Sequence, residues 1–252
     1  MGKIISIHSF RGGTGKSNIT ANLAYLLAQQ GKRVGIIDCD IQSPGIHILF
    51  QLNQDQLKHT LNDYLWNRCS IKECAVDVTD RLGTSLALGK LFIVPSSLSA
   101  SEITKILREG YNIEYLIEGY YKIIKELNLD YLLIDSHPGI NQETLLAISI
   151  SDILLVILRP DNQDFQGTAI TIELAKKLEV PALFLIVNKT LPSMNLSAME
   201  IEINKAFNTP IAGIIPFSEE VILLGSSGLF TQLYQDHPIT NILQKILKKI
   251  EL

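Results

Sequence analysis

Short apolar runs alternate with longer amphipathic ones along almost the whole chain. The runs IISIH (4–8), VGIID (34–38), LFIVP (91–95), YLLID (131–135), ILLVIL (153–158), LFLIVN (183–188) and IAGIIP (211–216) are rich in Ile, Leu and Val. None alternates polar with apolar positions, which predicts strands covered on both faces, as in a parallel sheet. Between them lie helical periodicities. Residues 16–30 place Ile19, Leu23, Leu26 and Leu27 on one face and stop at Gly31, a residue suited to end a helix. Residues 113–127 place Ile113, Leu116, Ile117, Tyr120, Ile124 and Leu127 in the same way, and 142–150, 166–178, 197–207 and 239–251 are further helices. The order predicts an α/β fold: a single doubly wound, mostly parallel sheet with helices on both faces, one domain over residues 1–252. No linker or repeat interrupts it. The stretch 42–90 is the least regular and is expected to be a surface excursion.

Composition changes this picture little. The 252 residues carry a formal net charge of -4, so no bulk basic character points to a polyanion. Cys39, Cys69 and Cys74 form no CxxC pair and read as reduced thiols of a cytoplasmic protein. MGKIISIHSF reads as the start of a strand, so a secretory leader is not expected, and no apolar run approaches the roughly 18–20 residues that span a bilayer.

The stretch HSFRGGTGKS (8–17) carries the first chemistry. It lies between a predicted strand and a predicted helix, the context of a phosphate-binding loop. Glycines let the backbone curl so that successive N–H groups face phosphate oxygens, and the helix N-terminus adds partial positive charge. Gly12, Gly13, Thr14, Gly15, Lys16, Ser17 and Asn18 are the expected cradle. Lys16 reaches the β- and γ-phosphates and the Ser17 hydroxyl ligates Mg2+. The common pattern has glycine where this chain has Phe10. Two of the predicted strands end in carboxylates, Asp38 and Asp135, on the sheet edge where open α/β folds bind ligands. Asp40 follows two residues after Asp38.

RGGTGKS resembles the deviant Walker A motif of the MinD/ParA ATPases, KGGxGK[ST]. The resemblance extends through GKRVGIIDCDIQSP, LDYLLIDSHPG, LFLIVNK and IIPFSEEV. It implies an ATP- and Mg2+-dependent homodimer with nucleotides between two subunits, and an activating protein partner. Arg11 stands where that family has a lysine reaching the other subunit's phosphates; it keeps the charge and adds a bidentate fork. Arg159 is the reserve candidate. By the same resemblance Asp135 and Ser17 hold Mg2+, Asp38 acts through a metal-bound water, Asp40 orients the attacking water, and the Gly139 N–H meets the γ-phosphate. Asn188 would read adenine, whose edge its amide can both donate to and accept from. Pro216 and Phe217 would close over the base. NKTL lacks the aspartate of a guanine-type NKxD motif, which favours ATP. His137 has no settled role.

The tail HPITNILQKILKKIEL places Ile239, Ile242, Leu243, Ile246, Leu247 and Ile250 on one face, with Lys245, Lys248 and Lys249 opposite. A packed terminal helix is expected. A membrane surface and non-specific contact with DNA stay open, and a MinD-type anchor beyond this helix is not expected. The implied function is an ATP-hydrolysing dimerisation switch that positions cargo or recruits partners, or else an ATP-binding scaffold with little hydrolysis. An iron–sulfur relative on the same fold is disfavoured by the placement of the cysteines, and a tyrosine-rich-tail kinase by the lone Tyr234 near the C-terminus.

Overall fold

The computed structural model describes residues 2–83 and 89–251. Part of the irregular stretch, 84–88, lies outside the described residues. Eight strands form one sheet: β1 (Lys3–His8), β2 (Arg33–Asp38), β3 (Val76–Asp77), β4 (Lys90–Val94), β5 (Tyr131–Asp135), β6 (Ile153–Leu158), β7 (Ala182–Thr190) and β8 (Ile211–Pro216). Their order is β3-β4-β2-β5-β1-β6-β7-β8, parallel except for β3. The helices are α1 (Lys16–Gln29), α2 (Leu61–Leu65), α3 (Ala100–Glu109), α4 (Ile113–Leu127), α5 (Gln142–Ser149), α6 (Asn162–Lys177), α7 (Leu196–Phe207), α8 (Glu219–Leu224), α9 (Phe230–Leu233) and α10 (Pro238–Ile250).

All seven apolar runs are strands, and β2, β5 and β6 are buried over all or all but one of their residues. That burial on both faces is why they carry no alternation. α1 lies against the sheet and is itself covered by α9 and α10, so every residue from Ile19 to Ala28 is buried. It ends as expected at Gly31, whose φ of 85° and N–H to the Ala28 carbonyl (3.0 Å) close the last turn. α10 packs on β8 and α1, burying Ile239, Leu243, Ile246, Leu247 and Ile250. The apolar stripe of the tail is therefore core. Lys249, expected on the face opposite that stripe, instead reaches the packed side, its Nζ donating to the Ile211 carbonyl of β8 at 2.9 Å.

The described part of 42–90 is not a surface excursion. Leu61, Tyr64, Leu65, Ile71 and Cys74 are buried in one cluster with Ile37, Cys39 and Ile41. Its backbone is tied to the sheet edge, with Leu61 N–H on the Pro95 carbonyl (2.8 Å) and Ser97 N–H on Asn62 Oδ1 (2.8 Å). Single turns instead of long helices hide this core from any periodicity reading. No helix of the described residues is long and apolar enough to cross a membrane.

Candidate nucleotide site

The site forms where β1, β2, β5, β6 and β7 end together. β1 runs into a loop that enters α1 with Gly15 at its N-cap; Gly15 has a φ of 97° and brings no side-chain cap. The first N–H groups of α1 are thus left for an anion. Gly13, at φ 76°, makes the other left-handed step, and both positions favour glycine. Phe10 fits without glycine because its ring lies over α6: a Cβ at Gly167 would come within 2.0 Å of it.

Gly12, Gly13, Lys16, Ser17 and Asp40 line a cavity of about 380 Å³. A second cavity, of about 200 Å³, is lined by Asn188, Pro216, Phe217 and apolar side chains from α1, α8 and α10. The two share Gly15 and Asn18. The larger one is polar and flanked by the loop, and the smaller one is greasy, which matches the two ends of a nucleotide. Asn188 has commitments of its own. Its Nδ2 donates to the Thr14 carbonyl at 2.7 Å and its Oδ1 accepts from the Lys189 N–H at 2.9 Å. One amide hydrogen and one Oδ1 lone pair remain beyond these bonds.

Asp38 and Asp135 are paired residues of neighbouring strands, both fully enclosed. Asp38 accepts from the N–H groups of Asp40 (3.1 Å), Gly45 (3.1 Å) and Ile46 (3.3 Å), which folds the segment after β2 around it. Asp135 accepts from Thr20 Oγ1 at 3.4 Å through one oxygen; among the described residues its buried Oδ2 has no partner. Burial pushes both carboxyls up, the Asp135 charge pushes Asp38 further, and the Lys16 ammonium holds Asp135 back. Two dry carboxyls side by side, one with an orphaned oxygen, is a donor set suited to a hard cation.

Asp40 is also raised by burial, opposed by His137 and Lys16. His137 Nε2 lies 3.8 Å from Asp40 Oδ1, while its Nδ1 lies 2.6 Å from the Pro138 carbonyl oxygen. The Gly139 N–H donates to the Ser9 carbonyl at 3.0 Å, joining the segment after β5 to the loop. Beneath the loop, His8 pairs Nδ1 with Ser136 Oγ at 2.8 Å; burial and then Lys16 hold its pKa down to about 3.

Arg11 Nη1 donates to Gln163 Oε1, and its Nε lies 4.0 Å from Asp164. Arg159 is more firmly held: its Nε and Nη2 meet the Asp164 carboxylate at 2.9 and 3.2 Å, and its N–H donates to it at 3.0 Å. Arg11 is the more exposed of the two cations, 42% against 28%. The sequence reading missed His8, Gln163, Asp164 and Lys189. Only Lys189 had a local signal, its place beside Asn188.

A sheet of this order with a glycine loop between its central strand and α1, facing two strand-end carboxylates, defines a P-loop nucleotide-binding protein. Residues 2–183 match the model of an AAA domain family. The chain is 29% identical over 248 residues to an ATP-binding protein of Methanocaldococcus jannaschii, covering 98% of this chain and 86% of that one. It is 26% identical to the septum site-determining protein MinD of Thermotoga maritima, covering 99% and 88%. The solved MinD of Pyrococcus horikoshii complexed with Mg-ADP superposes with a TM-score of 0.81 at 20% identity, covering 100% of this chain and 96% of that one. The chain belongs to the MinD/ParA family of ATPases.

Proposed function

We propose that this chain hydrolyses ATP and uses the bound nucleotide to switch between monomer and homodimer, positioning a cargo or recruiting a protein partner in the cytoplasm. The observation that carries this reading is the junction at Gly15 and Asn18, where a loop-lined phosphate cavity meets an apolar base cavity. Gly12 to Asn18 bind the phosphates, and Asn188, Pro216 and Phe217 bind adenine. Ser17 and Asp135 hold Mg2+, with Asp38 behind a water; the orphaned Asp135 oxygen supports this. Bound there, the ion would neutralise phosphate charge. Asp40 orients the attacking water. Gly139 would have to leave Ser9 to meet a γ-phosphate, which suits a segment that senses it. Arg11 acts on the partner's phosphates. The Mg-ADP of the Pyrococcus protein and the septum-site role in the name of the Thermotoga relative point the same way.

Light scattering with ADP, with ATP and without nucleotide, together with phosphate release, tests the reading. ATP-dependent dimers that release phosphate are expected. Dimers without release would favour an assembly scaffold, and monomers in every state would overturn the switch. Added liposomes and DNA identify the surface, if there is one.

A further inference from the structure

Just before its last residue, β7 carries two side chains that grip the phosphate loop from outside. Asn188 donates to the Thr14 carbonyl at 2.7 Å, and Lys189 Nζ donates to the Gly13 carbonyl at 2.8 Å. The two are locked to each other through the Lys189 N–H. Lys189 has a φ of 62°, a left-handed conformation that a side chain with a Cβ adopts reluctantly. Among the described residues no carboxylate pairs with it, so its one contact of note is the loop.

A trans peptide sets its C=O and N–H in opposite directions. Pulling the Gly13 carbonyl toward β7 turns the Thr14 N–H the other way. Pulling the Thr14 carbonyl does the same for the Gly15 N–H. The two bonds therefore fix the tilt of consecutive peptides whose N–H groups belong to the expected phosphate cradle. The approach is close: a Cβ at Gly15 would lie 2.6 Å from Asn188 Nδ2.

We infer that Lys189 is a positioning residue that presets the phosphate loop through the Gly13 carbonyl, its left-handed backbone serving to aim Nζ at that oxygen. The inference rests on the nucleotide-binding reading above. It requires no contact between Lys189 and the ligand.

Calorimetric titration of ATP and of inorganic tripolyphosphate into wild type, Lys189→Met, Lys189→Gly and Lys189→Arg tests it. Losing a charge-assisted bond to the loop should weaken both ligands about tenfold in the Met and Gly variants. Arginine, which keeps a cationic donor, should recover most of the loss. The Gly variant also removes the backbone strain, so it should weaken binding without lowering its melting temperature; a parallel loss of both would mark a merely structural residue and overturn the inference. The penalty should be the same at low and high salt, because it passes through the loop; a penalty that vanishes in high salt would assign Lys189 to direct phosphate attraction instead. A loss confined to ATP and absent with tripolyphosphate would place Lys189 on the base and equally overturn it. Wild type that binds neither ligand would sink the nucleotide reading, whereas wild type that binds and a Met variant that binds equally well would sink only the role of Lys189.

Discussion

Asp40 stands at the rim of the phosphate cavity, with Asp38 and Asp135 sealed behind it and His137 Nε2 at 3.8 Å. As the residue proposed to orient water, it should matter for turnover and little for affinity. Asp40→Ala is expected to lower the rate of phosphate release by about a hundredfold or more while leaving the ATP Kd within a few-fold. Unchanged turnover would remove Asp40 from the mechanism. Asp38 gives a second prediction, on stability. Its folded pKa is raised to about 8 from 3.8, so the ligand-free folded state holds a proton that the unfolded chain releases. Stability then falls as pH rises across that window. His8 works oppositely, because its pKa is lowered from 6.5 to about 3 and it favours folding as pH rises toward 6.5. On the acid side His8 opposes Asp38 while Asp135, raised to about 6, adds to it, so the interval from 6.5 to 8 is where Asp38 stands most nearly alone. There the melting temperature of the ligand-free protein should drop with pH, with a slope of at most about 1.4 kcal/mol per pH unit. Asp38→Asn should flatten that slope. A wild-type curve that is flat or rises over the interval would refute the sealed carboxyl as its source.

Among the elements, α6 does more than its amphipathic sequence announces. It supplies Gly167 as the floor for Phe10, Asp164 as the anchor of Arg159, and Gln163 as the acceptor for Arg11. Gly167→Ala would drive a methyl into the Phe10 ring near its Cβ, where the side chain cannot swing away. The expected loss is about 1–3 kcal/mol, or roughly 2–4 °C of melting temperature for each kcal/mol in a chain of this size. Phe10→Ala in the same background should return most of it. The seven strands other than β3 were legible in the sequence because each reads as an unbroken apolar run, most of it enclosed on both sides. α3 was passed over although Ile103, Ile106 and Leu107 stand at helical spacing; its stripe is short, buries only Ile106 and leaves Leu107 exposed. The segment α2 to β3 escaped because its core residues are spread over turns too short to show a period. The glycine loop was legible because its chemistry sits in consecutive residues. The pairing of Asp40 with His137 and the anchoring of Arg11 on α6 join positions far apart in the chain, and only the sheet order brings them together. The Lys189 contact depends on one left-handed residue, which lysine does not advertise.

For the whole molecule, the question is how two protomers would meet. Arg11 lies folded on its own α6, held by Gln163 and the outskirts of Asp164, while Arg159 occupies that carboxylate firmly. On the proposed switch, a cation so loosely kept would be the one to leave for a partner's phosphates. Arg11→Ala should therefore abolish the ATP-dependent dimer in light scattering while leaving ATP binding by the protomer within a few-fold. A variant that still dimerises with ATP would pass the role to Arg159. The ends of the sheet bear on the same question. β3 covers one flank with only two antiparallel residues, one of which, Asp77, is paired to Lys90. At the other flank α10 lies over β8, and Lys249 takes up the Ile211 carbonyl. Among the described residues β3 gives its flank only two residues to extend, and at the other flank a lysine ammonium occupies one of the β8 carbonyls. Growth by continuing the sheet, which would be hard to reverse and blind to nucleotide, is discouraged by the short β3 at one end and opposed by the Lys249 charge at the other. On the proposed switch, association falls to side-chain surfaces on the face of the phosphate loop, where a change of one phosphate would make or unmake it, and a cell would count copies of this protein by their ligand and not by their tendency to stick.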